Sequence, residues 1–304
     1  MKGIIEDFRT WIKTLGYSDS SAQSFPRYTT EFITWLTAQG IERADQITAQ
    51  HVRDYFFQWK NRKNKRTGAG LSQNHINSAV TSLNNFVKFL KMTNRSTIDL
   101  KLEHVRVDFK PPSVLTLDEI RSMYEATFTN NRVINTTAYG QRDRAMLAIY
   151  YGCGLRRNEG ANLLLSDILH DKKLIHVRKG KGSKERFVPI ADKGFQDIQE
   201  YLAYGRKWFL KELHSNRYSL TKNVEQTECF FINTEAQPMK DFGQRIALLK
   251  EDAGISKRVS LHTFRHSIAT HLMQQGMDIE QIKKFLGHSS LDSTQIYTHL
   301  IHEL

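Results

Sequence analysis

Over the first hundred or so residues, apolar side chains return every three or four positions. Phe8, Trp11, Ile12 and Leu15 share one helical face, and Phe25, Tyr28, Phe32, Trp35 and Leu36 share another in the next segment. A third stripe, Val52, Tyr55, Phe56 and Trp59, starts near Thr48. A fourth, Ile76, Val80, Leu83, Val87 and Leu90, steps by 4, 3, 4 and 3 in a segment opened by Ser72. Thr and Ser before such runs are good helix caps, because their side chains accept the first free backbone N–H groups. The pattern predicts four amphipathic helices and little strand.

Pro111 and Pro112, flanked by Lys110 and Ser113, hold an extended backbone and stop a helix, so a linker is expected at 110–113, between domains at 1–109 and 114–304. Thr116 and Glu119 have the spacing of a capping box for a helix through Ile120, Met123 and Tyr124. An apolar helix is expected from Arg144 to Gly152, ending at Gly152, Cys153 and Gly154. Residues 173–177 and 186–190 are short β-rich runs joined by a glycine-containing turn at 180–184, which predicts a hairpin with lysines at its tip. A polar insertion follows at 215–227, then a buried turn or strand at Phe230 to Asn233, and helical periods to the end. The fold class expected is mainly α, of the α+β kind, with a small antiparallel sheet in the second domain.

A chain of 304 residues is long enough for two domains. It lacks a run of about 18 apolar residues, so a membrane partner is not expected. The N-terminus enters an amphipathic pattern directly, without a signal-peptide core, which predicts a cytoplasmic protein. Cys153 and Cys229 each lie in an apolar stretch and are expected to be core residues. The formal net charge of +12 makes a polyanion the expected partner, and both halves of the chain share the positive excess.

The densest charge is Lys60, Arg62, Lys63, Lys65 and Arg66, five basic residues within seven positions. Alone, such a run fits a solvated loop. Beside the polar helix positions Asn74, His75, Asn77, Ser78, Thr81 and Ser82, contact with DNA phosphates is the better reading.

The second domain offers cationic chemistry. Gly180, Lys181, Gly182 and Ser183 lack the spacing of a phosphate-binding P-loop, and no carboxylate pair suggests two-metal catalysis. His262 and His266 stand four apart, but the general-base Glu of a zinc protease is missing, so neither a metal nor another cofactor is expected. The set that stands out is Arg156, Lys181, His262, Arg265 and His288. Two guanidinium forks match the oxygens of a phosphodiester under attack, and a lysine or histidine can protonate the departing sugar oxygen. The attacking group is water or a side chain. Tyr297 is a candidate, although a phenol with a pKa of about 10 needs a base or a cationic pocket to react at neutral pH. A phosphotyrosine link would keep the energy of the broken bond for resealing. Taken singly, an Arg after Gly-Leu is ordinarily a surface residue and a Tyr near a chain end ordinarily packs; their joint order is the signal.

Four segments in order carry a resemblance: Gly-Leu-Arg-Arg-Asn-Glu at 154–159; Gly-Lys-Gly-Ser-Lys-Glu-Arg-Phe-Val-Pro at 180–189; Leu-His-Thr-Phe-Arg-His-Ser-Ile-Ala-Thr-His-Leu at 261–272; and Leu-Gly-His-Ser-Ser-Leu-Asp-Ser-Thr-Gln-Ile-Tyr-Thr-His at 286–299. They closely resemble the tyrosine recombinases of the phage integrase and Xer type, over about residues 114–299. The resemblance implies an N-terminal helical, SAM-like core-binding domain at 1–109 and a catalytic domain at 114–304, clamping duplex DNA. It implies Tyr297 as the nucleophile of a 3′-phosphotyrosine link, Arg156 and Arg265 as holders of the scissile phosphate, and Lys181 as the acid for the leaving 5′ oxygen. His262 and His288 complete the pocket, and Glu159 matches an acidic residue that braces it in relatives. Arg157 points elsewhere on its helix.

The function implied is site-specific recombination through a Holliday junction, in integration or excision of a mobile element or in Xer-type resolution. The implied partners are a double-stranded recombination site, a homotetramer with two protomers per site, and an accessory DNA-bending protein, at the bacterial nucleoid. Many relatives carry a further helix after the tyrosine that docks into a neighbouring protomer; seven residues follow Tyr297 here, so an incomplete exchange is expected. The alternatives are a type IB topoisomerase-like relaxing enzyme and a non-catalytic DNA-binding protein.

Overall fold

Helix α1 (Ile4–Thr14) and α2 (Asp19–Ala38) pack with α3 (Ala49–Lys60) and α4 (Gln73–Met92) to form the first of two compact units, Met1–Phe109. The structure is a computed structural model that describes residues 1, 3–65, 67–108, 111–129, 136–178, 185–215 and 228–287. Ser18, Thr48 and Ser72 cap α2, α3 and α4 through their side-chain oxygens. The predicted stripes meet in one core, where Phe8, Phe32, Leu36, Val80, Phe86 and Leu90 are fully buried. Leu15 is the exception: it lies just beyond α1 and is exposed.

From Ile98 an extended segment runs along α4. Asn84 grips Leu102 at both backbone groups, its Nδ2 donating to the carbonyl at 2.9 Å and its Oδ1 accepting from the N–H at 2.8 Å. One heptad earlier Asn77 does the same to Val105, at 2.8 and 2.7 Å. Ser82 is buried and donates to the Phe25 carbonyl at 2.7 Å. Asn77 and Ser82, two of the polar positions that the sequence reading set beside the basic run, thus satisfy backbone of their own unit. The reason is geometric: residues seven apart on a helix present their side chains to one line along its surface, and an extended segment occupies that line.

In the second unit, Lys110–Leu304, the capping box of Thr116 and Glu119 opens α5 (Leu117–Ala126). Helix α6 (Thr136–Leu147) begins earlier than the expected Arg144 and widens into a π-helical turn over Ala148–Gly152. Two of the polar residues that interrupt its apolar pattern, Arg142 and Asp143, are buried against charged or carbonyl partners. Asp143 takes the guanidinium of Arg245, and Arg142 donates to the Ile232 carbonyl at 3.0 Å. Burial pushes the Asp143 carboxyl up against the pull of Arg245 and Arg142.

The short helix α7 (Arg157–Ala161) leads to a three-stranded antiparallel sheet of β1 (Ile168–Leu169), β2 (Leu174–Val177) and β3 (Arg186–Pro189). The hairpin strands β2 and β3 fall in the expected runs, and the two-residue β1 is too short to leave a period. The register sets Ile175 opposite Val188 and Val177 opposite Arg186. Arg186 therefore shares the inward face of the sheet with Val177, while His176 and Phe187 stack on the outer face with ring centres 4.9 Å apart.

Next come α8 (Asp192–Glu200), a π-helical turn at Tyr201–Gly205 and α9 (Arg206–Ser215). The sequence reading did not include this helical stretch, because the wide turn shifts the phase of the repeat at its middle. Phe230, Phe231 and Ile232 are buried, with isolated bridges from Leu164 to Cys229 and from Ile232 to Pro238. Cys153 is buried and Cys229 partly so. Helices α10 (Gly243–Asp252), α11 (Leu261–Gln274) and α12 (Ile279–Leu286) complete the described fold.

Candidate active site

The site is built where α7, β3, α11 and the C-terminal end of α12 meet. The chain leaves α6 through the π-helical turn, and Gly154 reverses it in the left-handed region at φ 59°. A Cβ at Gly154 would lie 2.8 Å from the Leu286 side chain, so only glycine allows this approach. Two residues later Arg156 stands at the N-cap of α7 in extended backbone.

The Glu159 carboxylate closes back on that cap. It accepts the Arg156 backbone N–H at 2.8 Å and the Arg156 Nη1 at 2.8 Å. Arg186 reaches the same carboxylate as a fork, Nη1 to Oε1 at 3.0 Å and Nη2 to Oε2 at 2.9 Å. Burial would raise the carboxyl pKa, but Arg186, followed by Arg156, outweighs it and holds Glu159 at about 2. Glu159 is a permanent anion between two permanent cations.

Helix α11 begins with a capping box of Ser260 and Thr263 and carries His262, Arg265 and His266 within its first turn and a half. His262 is exposed, His266 is partly buried and Arg265 is buried. Burial, then the nearby His262 and Arg265, push the His266 imidazole down to about 4, so it is neutral at physiological pH. Arg265 donates Nη1 to the Gly154 carbonyl and Nη2 to the Leu286 carbonyl, the latter at 2.7 Å.

Three guanidinium groups meet three successive carbonyls at the end of α12. Arg186 Nε donates to Phe285 at 3.1 Å, Arg265 Nη2 to Leu286 at 2.7 Å and Arg156 Nη2 to Gly287 at 2.7 Å. A helix C-terminus carries partial negative charge on unpaired carbonyls, so cations there are stabilised. Gly287, at φ 66°, ends the helix directly before position 288.

Of the six residues expected to act on the phosphate, the structure brings Arg156 and Arg265 together at this end of α12 and puts His262 on the exposed side of α11. Lys181, His288 and Tyr297 lie outside the described residues. Arg157 turns away toward Asp241, at 3.6 Å. Arg186 was missed by the sequence reading. The signal that could have found it was the alternation of β3, which sets a charged residue on the inward face.

In the first unit, Lys63, Lys65 and Asn74 are exposed and Lys60 is partly so, while Arg66 lies outside the described residues. Lys63 pairs with Gly70 to close a small loop beyond α3. Arg62 and His75 have contacts within the unit. Arg62 lies over the Trp59 ring at 4.6 Å and pairs with Glu31 at 2.8 Å; His75 Nδ1 sits 3.1 Å from the Tyr28 hydroxyl.

The sequence signature of the phage integrase family matches residues 113–303. The tyrosine recombinase XerD of Corynebacterium glutamicum is 29% identical over 309 residues, covering 96% of this chain and 92% of its own. The tyrosine recombinase XerC of Oceanobacillus iheyensis is 32% identical over 276 residues, covering 88% and 82%. Among solved structures, the Tn1549 transposon integrase with a circular intermediate DNA is similar at TM-score 0.68 and 16% identity, over 99% of both chains. The XerH recombinase bound to its difH substrate is similar at 0.65 and 19%, over 93% of this chain and 77% of that one. These two likenesses speak for the fold, and the sequence match for the lineage: the chain belongs to the phage integrase family, the tyrosine recombinases.

Proposed function

We propose that this site-specific DNA recombinase cuts and rejoins duplex DNA through a phosphodiester bond to Tyr297. The Tyr297 hydroxyl oxygen attacks the scissile phosphorus and passes its proton to a histidine of the pocket, His262 or His288. The bond to the 5′ oxygen breaks, and that oxygen leaves with a proton from Lys181. The 3′ strand end stays on the tyrosine until a 5′ hydroxyl from the partner duplex reverses the step. Arg156 and Arg265 bind the non-bridging oxygens, and His262 and His288 complete the pocket.

The observation that carries this reading is the convergence of Arg156 and Arg265, 109 positions apart in the sequence, on the carbonyls that directly precede His288. A guanidinium carries five N–H donors in a planar fork, the group that best matches the oxygens of a phosphodiester. The exposed Lys63, Lys65 and Asn74, together with Lys60, supply backbone contacts to the duplex, and Arg62, His75 and Arg66 stand in the same stretch of chain. By analogy with its relatives, the active form is a homotetramer on two synapsed sites, two protomers on each, with an accessory DNA-bending protein where the site requires one. The setting is the cytoplasm, at the nucleoid, and the task is element integration or excision, or Xer-type resolution.

The test is a duplex with a nick beside the cleavage point, which releases a short strand and traps the covalent adduct. Wild-type protein is expected to leave a protease-sensitive protein–DNA species that Tyr297→Phe lacks. An adduct of undiminished yield with Tyr297→Phe would overturn the assignment.

A further inference from the structure

Arg186 spends its whole guanidinium on this site without any expected contact to DNA. Nε holds the Phe285 carbonyl, and the two terminal nitrogens hold both oxygens of Glu159. Its side chain is 9% exposed, against 32% for Arg156, so Arg186 lies beneath the site and Arg156 nearer its surface. It is also the first residue of β3, at the base of the hairpin that bears Lys181. The end of α12 is shaped around it: a Cβ at Gly287 would lie 2.9 Å from Arg186 Cδ and Nη1.

The charges give this bridge a purpose. Glu159 is one anion shared by two cations, leaving one net positive charge for a phosphodiester. Without Arg186, Glu159 has Arg156 as its remaining guanidinium partner. The pair would then neutralise itself, and Arg156 would be drawn into its own carboxylate and away from DNA. We infer that Arg186 is a positioning residue: by occupying Glu159 it frees Arg156 for the scissile phosphate, and by holding Phe285 it fixes where the segment bearing His288 and Tyr297 leaves α12. This rests on the phosphate-binding reading of Arg156 given above.

The experiment compares wild type, Arg186→Met, Arg186→Lys, Glu159→Gln and the double variant Arg186→Met/Glu159→Gln. Single-turnover cleavage of the nicked duplex is measured at saturating protein, with DNA affinity measured separately on the same duplex. A misplaced phosphate ligand costs up to about 100-fold in rate, so Arg186→Met is expected to cleave about 10- to 100-fold more slowly while binding DNA nearly as tightly. Removing the competing carboxylate should restore most of that loss, making the double variant faster than Arg186→Met. A merely structural role would weaken folding, binding and cleavage together and gain nothing from Glu159→Gln. Arg186→Lys keeps the charge but cannot fork, so it should fold and still cleave more slowly than wild type; it decides the matter if Arg186→Met does not fold. Wild-type cleavage rates in Arg186→Met or Arg186→Lys, or a double variant no faster than Arg186→Met, would overturn the inference. The nucleophile reading is judged separately, by whether wild type forms an adduct that Tyr297→Phe lacks.

Discussion

Arg265 donates to the carbonyl of Leu286, the last residue of α12, at 2.7 Å, and so ties the second turn of α11 to the last turn of α12. The contact is buried, and the same guanidinium also holds Gly154. Arg265→Lys keeps the charge but has a single nitrogen for two carbonyls that face different ways. The variant is expected to lose about 1–3 kcal/mol of stability, the cost of leaving one buried carbonyl unpaired. Cleavage of nicked duplex should fall by about 100-fold or more, as when a preorganised oxyanion donor is lost. Denaturant unfolding and single-turnover cleavage check the two figures, and full cleavage activity would show that Arg265 does not act on the phosphate.

Gly287 carries two constraints at once, a left-handed φ of 66° and a neighbour that fills the place of a side chain. Gly287→Ala pays about 1–2 kcal/mol for the backbone alone. The methyl must also displace Arg186, whose Cδ would be 2.9 Å away, and Arg186 cannot move without releasing Glu159 or Phe285. The expected result is a larger loss of stability than at Gly254, which has a similar φ of 68° and open space around its missing Cβ. Paired thermal melts of Gly287→Ala and Gly254→Ala test this; equal losses would mean that Arg186 yields freely.

Two titrations separate in pH. His266 is held neutral, with its pKa pushed down from 6.5 to about 4 by burial and by His262 and Arg265. The unfolded chain therefore binds a proton that the folded chain refuses, and stability falls as pH drops from about 6.5 to 4. Glu159 is held down at about 2 from an ordinary 4.5, so its stabilisation is complete above about pH 5 and is lost as pH falls from there toward 2. Each effect is of the order of 3 kcal/mol. His266→Gln is expected to flatten urea-derived stability between pH 6.5 and 4.5 and to leave the loss at lower pH. An unchanged slope in the upper window would remove His266 as its source.

What could be read from the sequence follows from how local each signal is. The α3 and α4 stripes and the capping box at Thr116 were legible because a 3.6-residue period or a three-residue spacing is written within one segment. The helical stretch from Asp192 to Ser215 was not, because a π-helical turn at its centre breaks that period. Arg156 and Arg265 stood out through neighbours that form a motif. Arg186 sat inside a quoted motif without being singled out, since its role lies in a carboxylate 27 positions away and a carbonyl 99 positions away. The backbone clamp of Asn77 was not legible for the same reason: a helix face shows that the residue is polar, and not that a backbone 28 positions on will meet it.

The asparagine clamps on α4 give a last prediction. Asn77 and Asn84 hold one extended segment at Val105 and Leu102, two hydrogen bonds each. Asn84→Ala removes both bonds to the partly buried Leu102 backbone, an expected loss of about 1–3 kcal/mol with faster amide exchange at Leu102. Asn77→Ala should cost less, because Val105 is exposed and water can replace the amide. Because the clamps grip the same segment, losing one frees the backbone that the other would hold. The double variant should therefore cost less than the two single losses together. Amide exchange across residues 98–108 and a double-mutant cycle in denaturant measure both effects. Strict additivity would mean that the clamps act on independent stretches, and unchanged exchange at Leu102 would mean that Ile98 and Leu102, buried in the core, anchor the segment unaided.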